Sequence, residues 1–126
     1  MTTTQRGKRT EALFIITALE RDWELATPFC EDNGYDFIIR REKMGQWEAV
    51  QVKTAYHGGR DKRNFLEVGF RRSKGKFSGV QPYNKGDFDL LFAASGKDRW
   101  IIPWDIVKDQ KSYVLVGHPK YDEYRI

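Results

Sequence analysis

Asp36, after Tyr35, follows the turn-forming run Cys30-Glu31-Asp32-Asn33-Gly34, and Gln51 and Lys53 lie two residues apart in the run Trp47 to Thr54. Apolar and polar residues alternate there, and that period belongs to a strand. Val50 and Val52 then point to one face, and Ala49, Gln51 and Lys53 to the other. A hairpin with the preceding strand can bring Asp36 near Gln51 and Lys53. Glu11, on a helix earlier in the chain, offers a further carboxylate. Carboxylate and amide oxygens suit a hard divalent cation. Such a cation polarises a phosphoryl oxygen and lowers the pKa of water. A neighbouring lysine orients or deprotonates that water, or neutralises charge that develops on phosphate. These are the groups that phosphodiester hydrolysis needs. Gln51 stands where a second carboxylate is expected. Its amide oxygen can ligate a cation without adding negative charge, and Glu11 could restore the missing charge. Each residue also has a plainer role: Asp36 as a turn cap, Gln51 and Lys53 as an ordinary polar strand face, and Glu11 as a first-turn acid favourable to the helix dipole.

The elements that must position these residues follow from the changing period of the chain. Residues 1–9 read as a flexible basic arm. Thr10 reads as the N-cap of a helix running to about Trp23, with Ala12, Ile15, Ile16, Leu19 and Trp23 on its apolar face. Glu24 to Phe29 is a short strand candidate. Tyr35 to Arg41 and Trp47 to Thr54 are two strands joined through a loop containing Gly45. Phe65 to Arg72 is a further strand, followed by the loop-like run from Ser73 to Asp87 with its three glycines and one proline. Phe88 to Ala94 and Trp100 to Pro103 form another pair, Trp104 to Val107 one helical turn, and Ser112 to Val116 a last strand. Trp100 and Trp104 fit core or interface positions. One helix followed by mostly antiparallel strands, with no repeat or linker, is an α+β domain, expected to occupy residues 1–126 as a single unit.

Composition narrows the partners. The 126 residues carry 22 basic and 18 acidic side chains. Residues 53–85 hold nine of the basic residues and two acidic ones, which leaves a mildly acidic remainder. A basic segment on an acidic body points to a polyanion. The chain has no GxxxxGK[ST] loop and no GxGxxG, and one cysteine and two histidines exclude a zinc site of the usual kind. Cys30 can form no internal disulfide, which favours a reducing, intracellular and cytoplasmic setting. The N-terminal run is polar and lacks an apolar signal core, and no apolar stretch is long enough to span a membrane.

Several short strings together carry a resemblance: Glu11-Ala12 on the first helix, Pro28-Phe29, Tyr35-Asp36, Val50-Gln51-Val52-Lys53-Thr54, Asp89-Leu90-Leu91 and Ile101-Ile102-Pro103-Trp104. In these, over about residues 7 to 125, the chain resembles the PD-(D/E)XK nucleases associated with group I introns, which include homing endonucleases. Tyr35 replaces the proline of the motif, and Gln51 its second acid. The resemblance implies a restriction-endonuclease-like core, with a mixed central sheet flanked by helices. It implies Mg²⁺-dependent cleavage of double-stranded DNA, with Mn²⁺ as a substitute, and a homodimer or homotetramer. Carried over by motif, Asp36, Gln51 and the Val52 carbonyl would be metal ligands, Lys53 the catalytic lysine and Glu11 the helix carboxylate. Residues 57–86 would be a basic, DNA-contacting insertion in which Arg60, Lys62, Arg63, Arg71, Arg72, Lys74 and Lys76 meet phosphates or guanine edges. A Holliday-junction resolvase shares this layout, and a DNA-binding module that no longer cuts would carry the same residues with Gln51 as the mark of its decay.

Overall fold

The computed structural model describes residues 1–30, 34–60, 62–73 and 80–126. Its first element, α1 (Thr3–Glu20), begins well before Thr10. Thr2 is the cap: its hydroxyl accepts from the Gln5 N–H, and the Gln5 side chain accepts from the Thr2 N–H. This reciprocal box starts the helix at its favoured sequence, so residues 3–9, expected as an arm, are the first turns. Thr10 is buried instead of capping. Its hydroxyl donates to the Arg6 carbonyl and lies 2.6 Å from that of Thr54.

The buried face of α1 is also rotated from the expected one. Thr10, Phe14, Thr17 and Ala18 are buried, whereas Ala12, Ile16 and Leu19 are exposed. Phe14 sets this face by packing against Phe37 and Phe92, with ring centroids 5.1 and 5.0 Å apart. Thr17 tolerates burial because its hydroxyl donates to the Leu13 carbonyl.

The strands are β1 (Glu24–Ala26), β2 (Phe37–Arg40), β3 (Trp47–Thr54), β4 (Tyr56–His57), β5 (Leu66–Gly69), β6 (Arg72–Ser73), β7 (Val80–Gln81), β8 (Leu90–Ser95), β9 (Asp98–Pro103) and β10 (Tyr113–Val114). Trp47 to Thr54 is a strand as expected; Phe65 to Arg72 is divided between β5 and β6. The central sheet has the order β1-β2-β3-β8-β9. All its pairings are antiparallel except β3 with β8, so it is mixed. A smaller sheet orders β10-β5-β4, and β6 pairs with β7.

Alternation along the central strands divides the core. Phe37, Ile39, Val50, Val52 and Phe92 pack with Phe14 beneath α1. On the opposite face, Leu91, Ala93, Trp100 and Ile102 pack with Val68, Phe70, Tyr83, Phe88 and Tyr121. The short helix α2 (Trp104–Val107) and the 3₁₀ helix Pro119–Tyr124 contribute Val107 and Tyr121 to this second cluster. The result is a mixed sheet between helical layers, the restriction-endonuclease-like arrangement. Asp89 fixes the parallel pairing at its origin: its carboxylate accepts from the Ala49 N–H at 2.8 Å, and its own N–H donates to the Ala49 carbonyl.

Candidate active site

Register brings the expected residues together. Phe37 pairs with Val50, so Asp36, one step earlier, lies opposite Gln51. The Asp36 N–H continues the ladder by donating to the Val50 carbonyl at 2.8 Å. Phe37 and Val50 pack beneath α1, while the Asp36 and Gln51 side chains meet each other. Asp36 Oδ2 accepts from the Gln51 side-chain amide at 3.0 Å and from the Val52 N–H at 2.8 Å. The same amide nitrogen lies 3.3 Å from the Val52 carbonyl oxygen.

Glu11 reaches this place from α1. The Thr10–Thr54 contact ties the helix to the end of β3, and one cavity of about 690 Å³ is lined by Glu11, Asp36, Gln51 and Val52, together with Lys8 and Pro28. Lys8 forms an ion pair with Glu11 at 3.4 Å. Lys8 was not singled out in the sequence, although its i,i+3 spacing to Glu11 on a helix is the signal that finds it. Gly34, two residues before Asp36, lies against Asp87. A Cβ there would lie 2.8 Å from the Asp87 Cβ, so only glycine lets the two segments approach.

Lys53 does not line this cavity. It opens on a second cleft of about 510 Å³ beside Tyr56, Gly69, Phe70 and Arg71. Its ammonium lies 3.5 Å from the Arg71 carbonyl oxygen and 5.4 Å from the centre of the Tyr83 ring. Sequence patterning missed Tyr83, which lies in the loop-like run and carries no motif. Charge nevertheless couples the two clefts. Burial raises the Asp36 carboxyl above the ordinary value, opposed by the Val52 N–H; Glu11 raises it further, and Lys53 and Lys8 lower it. Burial lowers the Lys53 ammonium, and the Asp36 charge partly offsets that.

The donor set fits a hard cation in kind. Among the described residues no group of three or more His, Cys, Asp and Glu side chains could hold a metal ion. The oxygens at hand are two carboxylates, one side-chain amide and one backbone carbonyl, which is oxygen chemistry suited to Mg²⁺. Asp36 Oδ2 and the Val52 carbonyl converge on the positive end of the Gln51 amide. Turning the amide over would present its oxygen to this place instead.

Several residues of the basic segment already have partners within the fold. Arg60 donates to Glu67 at 2.6 Å and stacks 3.1 Å from the Tyr113 ring centre. Arg71 donates to the Ser112 hydroxyl, and Arg72 to Asp87 at 2.9 Å. Lys62 and Arg63 are exposed, with Arg63 over the Phe65 ring. Lys74 and Lys76 lie outside the described residues. His57 is exposed and contacts the Asn64 carbonyl.

No curated protein matches the chain. Among solved structures, a bacterial homing endonuclease superposes with a TM-score of 0.80 over 99% of this chain and 89% of its own, at 22% identity. At that identity the likeness establishes the fold. The family profile described as PD-(D/E)XK endonuclease matches residues 1–125. With nearly every residue inside that match, the chain belongs to the PD-(D/E)XK endonuclease family.

Proposed function

We propose that the protein is a Mg²⁺-dependent endonuclease of double-stranded DNA, sequence-specific and of the homing type, with Mn²⁺ able to substitute. The observation that carries this reading is the convergence of Asp36, Gln51 and the Val52 carbonyl in a cavity that Glu11 also lines. The family supplies the reaction class, and the likeness to a homing endonuclease favours that role over junction resolution.

Asp36, Gln51 and the Val52 carbonyl would hold the cation, and Glu11 would add the charge that Gln51 lacks. The cation supplies Lewis acidity toward a phosphoryl oxygen and acidifies water. Lys53 orients or deprotonates the attacking water, or neutralises charge on the phosphate. Its ammonium, lowered by burial, gives up a proton more readily than an ordinary lysine. Lys62 and Arg63, exposed on the loop before β5, meet backbone phosphates, and the β6–β7 ribbon approaches a groove. Arg60, Arg63, Arg71 and Arg72 reach DNA by sharing or exchanging their present partners; Lys74 and Lys76 complete the expected contact set. The exposed Ile16 and Leu19 on α1 offer an apolar face for a homodimer or homotetramer that matches a two-fold symmetric target. No helix among the described residues is long and apolar enough to cross a membrane, and we place the protein inside the cell with its DNA.

The test is a digest of plasmid and four-way-junction DNA with and without Mg²⁺, using wild type and Lys53→Ala. Cleavage of linear sites that needs Mg²⁺ and is lost in Lys53→Ala, with binding largely intact, supports the reading. Preferential junction cleavage would assign a resolvase. Tight binding without any cleavage would assign a binding module.

A further inference from the structure

We propose that the two legs of the β6–β7 ribbon position Lys53, with Tyr83 as the positioning residue whose ring face holds the ammonium and the Arg71 carbonyl as its second support. The inference rests on the nuclease reading only in what Lys53 is positioned for. Arg71 immediately precedes β6, and Tyr83 follows shortly after β7. The two supports therefore enter and leave the same ribbon, and both meet one ammonium from β3.

A lysine has a flexible four-carbon stem, and its charge must be fixed in place before it can serve a reaction. Ring faces attract ammonium groups within about 6 Å of the centroid, and Lys53 satisfies that distance over Tyr83. The Tyr83 ring is itself immobilised. It packs 5.2 Å from Phe70 and 5.1 Å edge-on against Phe88, which in turn meets Trp104 at 5.2 Å. The ring is buried, so water is excluded from its own side of the contact. The hydroxyl is not the working group: burial pushes it well above the ordinary phenol range, so it stays protonated and cannot act as a base. Because the ribbon is also the segment proposed to meet DNA, seating it on a duplex and placing Lys53 become one event.

The test compares Tyr83→Phe, which keeps the ring, with Tyr83→Leu, which removes it. Single-turnover cleavage is measured with Mg²⁺, DNA affinity without divalent cation, and folding by thermal melting. Lys53 side-chain NMR signals are followed in ¹³C-lysine-labelled protein and assigned with Lys53→Ala. Tyr83→Phe is expected to keep the wild-type rate, and Tyr83→Leu to lose roughly tenfold with affinity unchanged. In wild type and Tyr83→Phe the Lys53 ε-methylene protons are expected upfield of the other lysines through the ring current; in Tyr83→Leu they return to the common position. A folded Tyr83→Leu protein that cleaves at the wild-type rate overturns the proposal. So does an unshifted Lys53 signal in wild type, a result that needs no variant to fold. If Lys53→Ala cleaves normally while the Lys53 signal is shifted, the nuclease role of Lys53 fails and its placement by Tyr83 stands.

Discussion

Replacing Gln51 by Glu tests the site without requiring turnover. In the wild-type protein the Gln51 amide donates to Asp36 Oδ2 at 3.0 Å. Gln51→Glu turns that attraction into a confrontation of two carboxylates. Two unit charges about 3 Å apart repel by about 5 kcal/mol at an effective dielectric constant of 20. The protein can escape part of this by keeping a proton on one carboxyl. For a glutamate of ordinary pKa near 4.3 that costs about 4 kcal/mol at pH 7, which caps the penalty. Burial already raises the Asp36 carboxyl, so the protonated route is cheaper still, and about 3 kcal/mol is expected. For a domain of this size that lowers Tm by on the order of 10 °C in the absence of divalent cation. A cation between the two carboxylates removes the repulsion, so Mg²⁺ should return most of the loss and shift the variant more than wild type. The assay is thermal melting of both proteins in chelator and across a Mg²⁺ titration. A variant that melts with wild type in chelator, or a Mg²⁺ shift of equal size in both, would refute the reasoning and separate the amide from the carboxylate.

Three further outcomes are expected. Asp36→Asn should weaken the response of cleavage to Mg²⁺, yet without metal it should melt no lower than wild type at neutral pH. The sign follows from the raised folded-state pKa: its stabilising contribution is full below the unfolded pKa and is lost as pH rises through the folded one, so ionised Asp36 is a burden at pH 7. A large drop in Tm at pH 7 would contradict this. Reversing Arg71 and Arg72 to Glu should weaken DNA binding and flatten its salt dependence, read as the slope of log Kd against log salt; an unchanged slope puts the DNA surface elsewhere. Gly58→Ala should destabilise the fold by about 1–3 kcal/mol, seen in denaturant unfolding, because the new Cβ would collide with the buried Glu67 carboxylate that holds Arg60. Unfolding at the wild-type midpoint would show that the carboxylate has room to move.

The core of the site was legible because its signals are local and periodic. The alternation from Trp47 to Thr54 fixed both the strand and the face shared by Gln51 and Lys53, and the hairpin with the preceding strand predicted the approach of Asp36; of the turn read over Cys30 to Gly34, residues 31–33 lie outside the described residues. The helix start was written in the sequence too, as Thr2 and Gln5 at capping-box spacing, but the run of basic residues outweighed it. The rotated face of α1 was harder to read. Counting aliphatic residues favoured Ile16 and Leu19, whereas burial follows the fit of Phe14 against two distant rings and the ability of Thr10 and Thr17 to satisfy their own hydroxyls. The alternation from Phe70 to Ser78 suits a β-ribbon, and Arg72–Ser73 does pair with Val80–Gln81. Tyr83 was not legible: what places it under Lys53 is packing among Phe70, Phe88 and Trp104, all remote from the Lys53 strand in sequence.

The parallel join of β3 to β8 has a consequence for how such a protein can vary. β3 ends at Thr54 and β8 begins at Leu90, so residues 55–89 are one excursion of 35 residues, and each doubling of a loop costs only about 0.6 kcal/mol in closure entropy. Both ends of the excursion are pinned inside a five-stranded sheet. The stretch proposed to read DNA can therefore grow, shrink or be exchanged in its outer part while Asp36 and Gln51 keep their positions, provided that the inner turns returning to Lys53 are kept. A lineage could acquire a new target by rewriting a detour and leaving the anchored ends untouched.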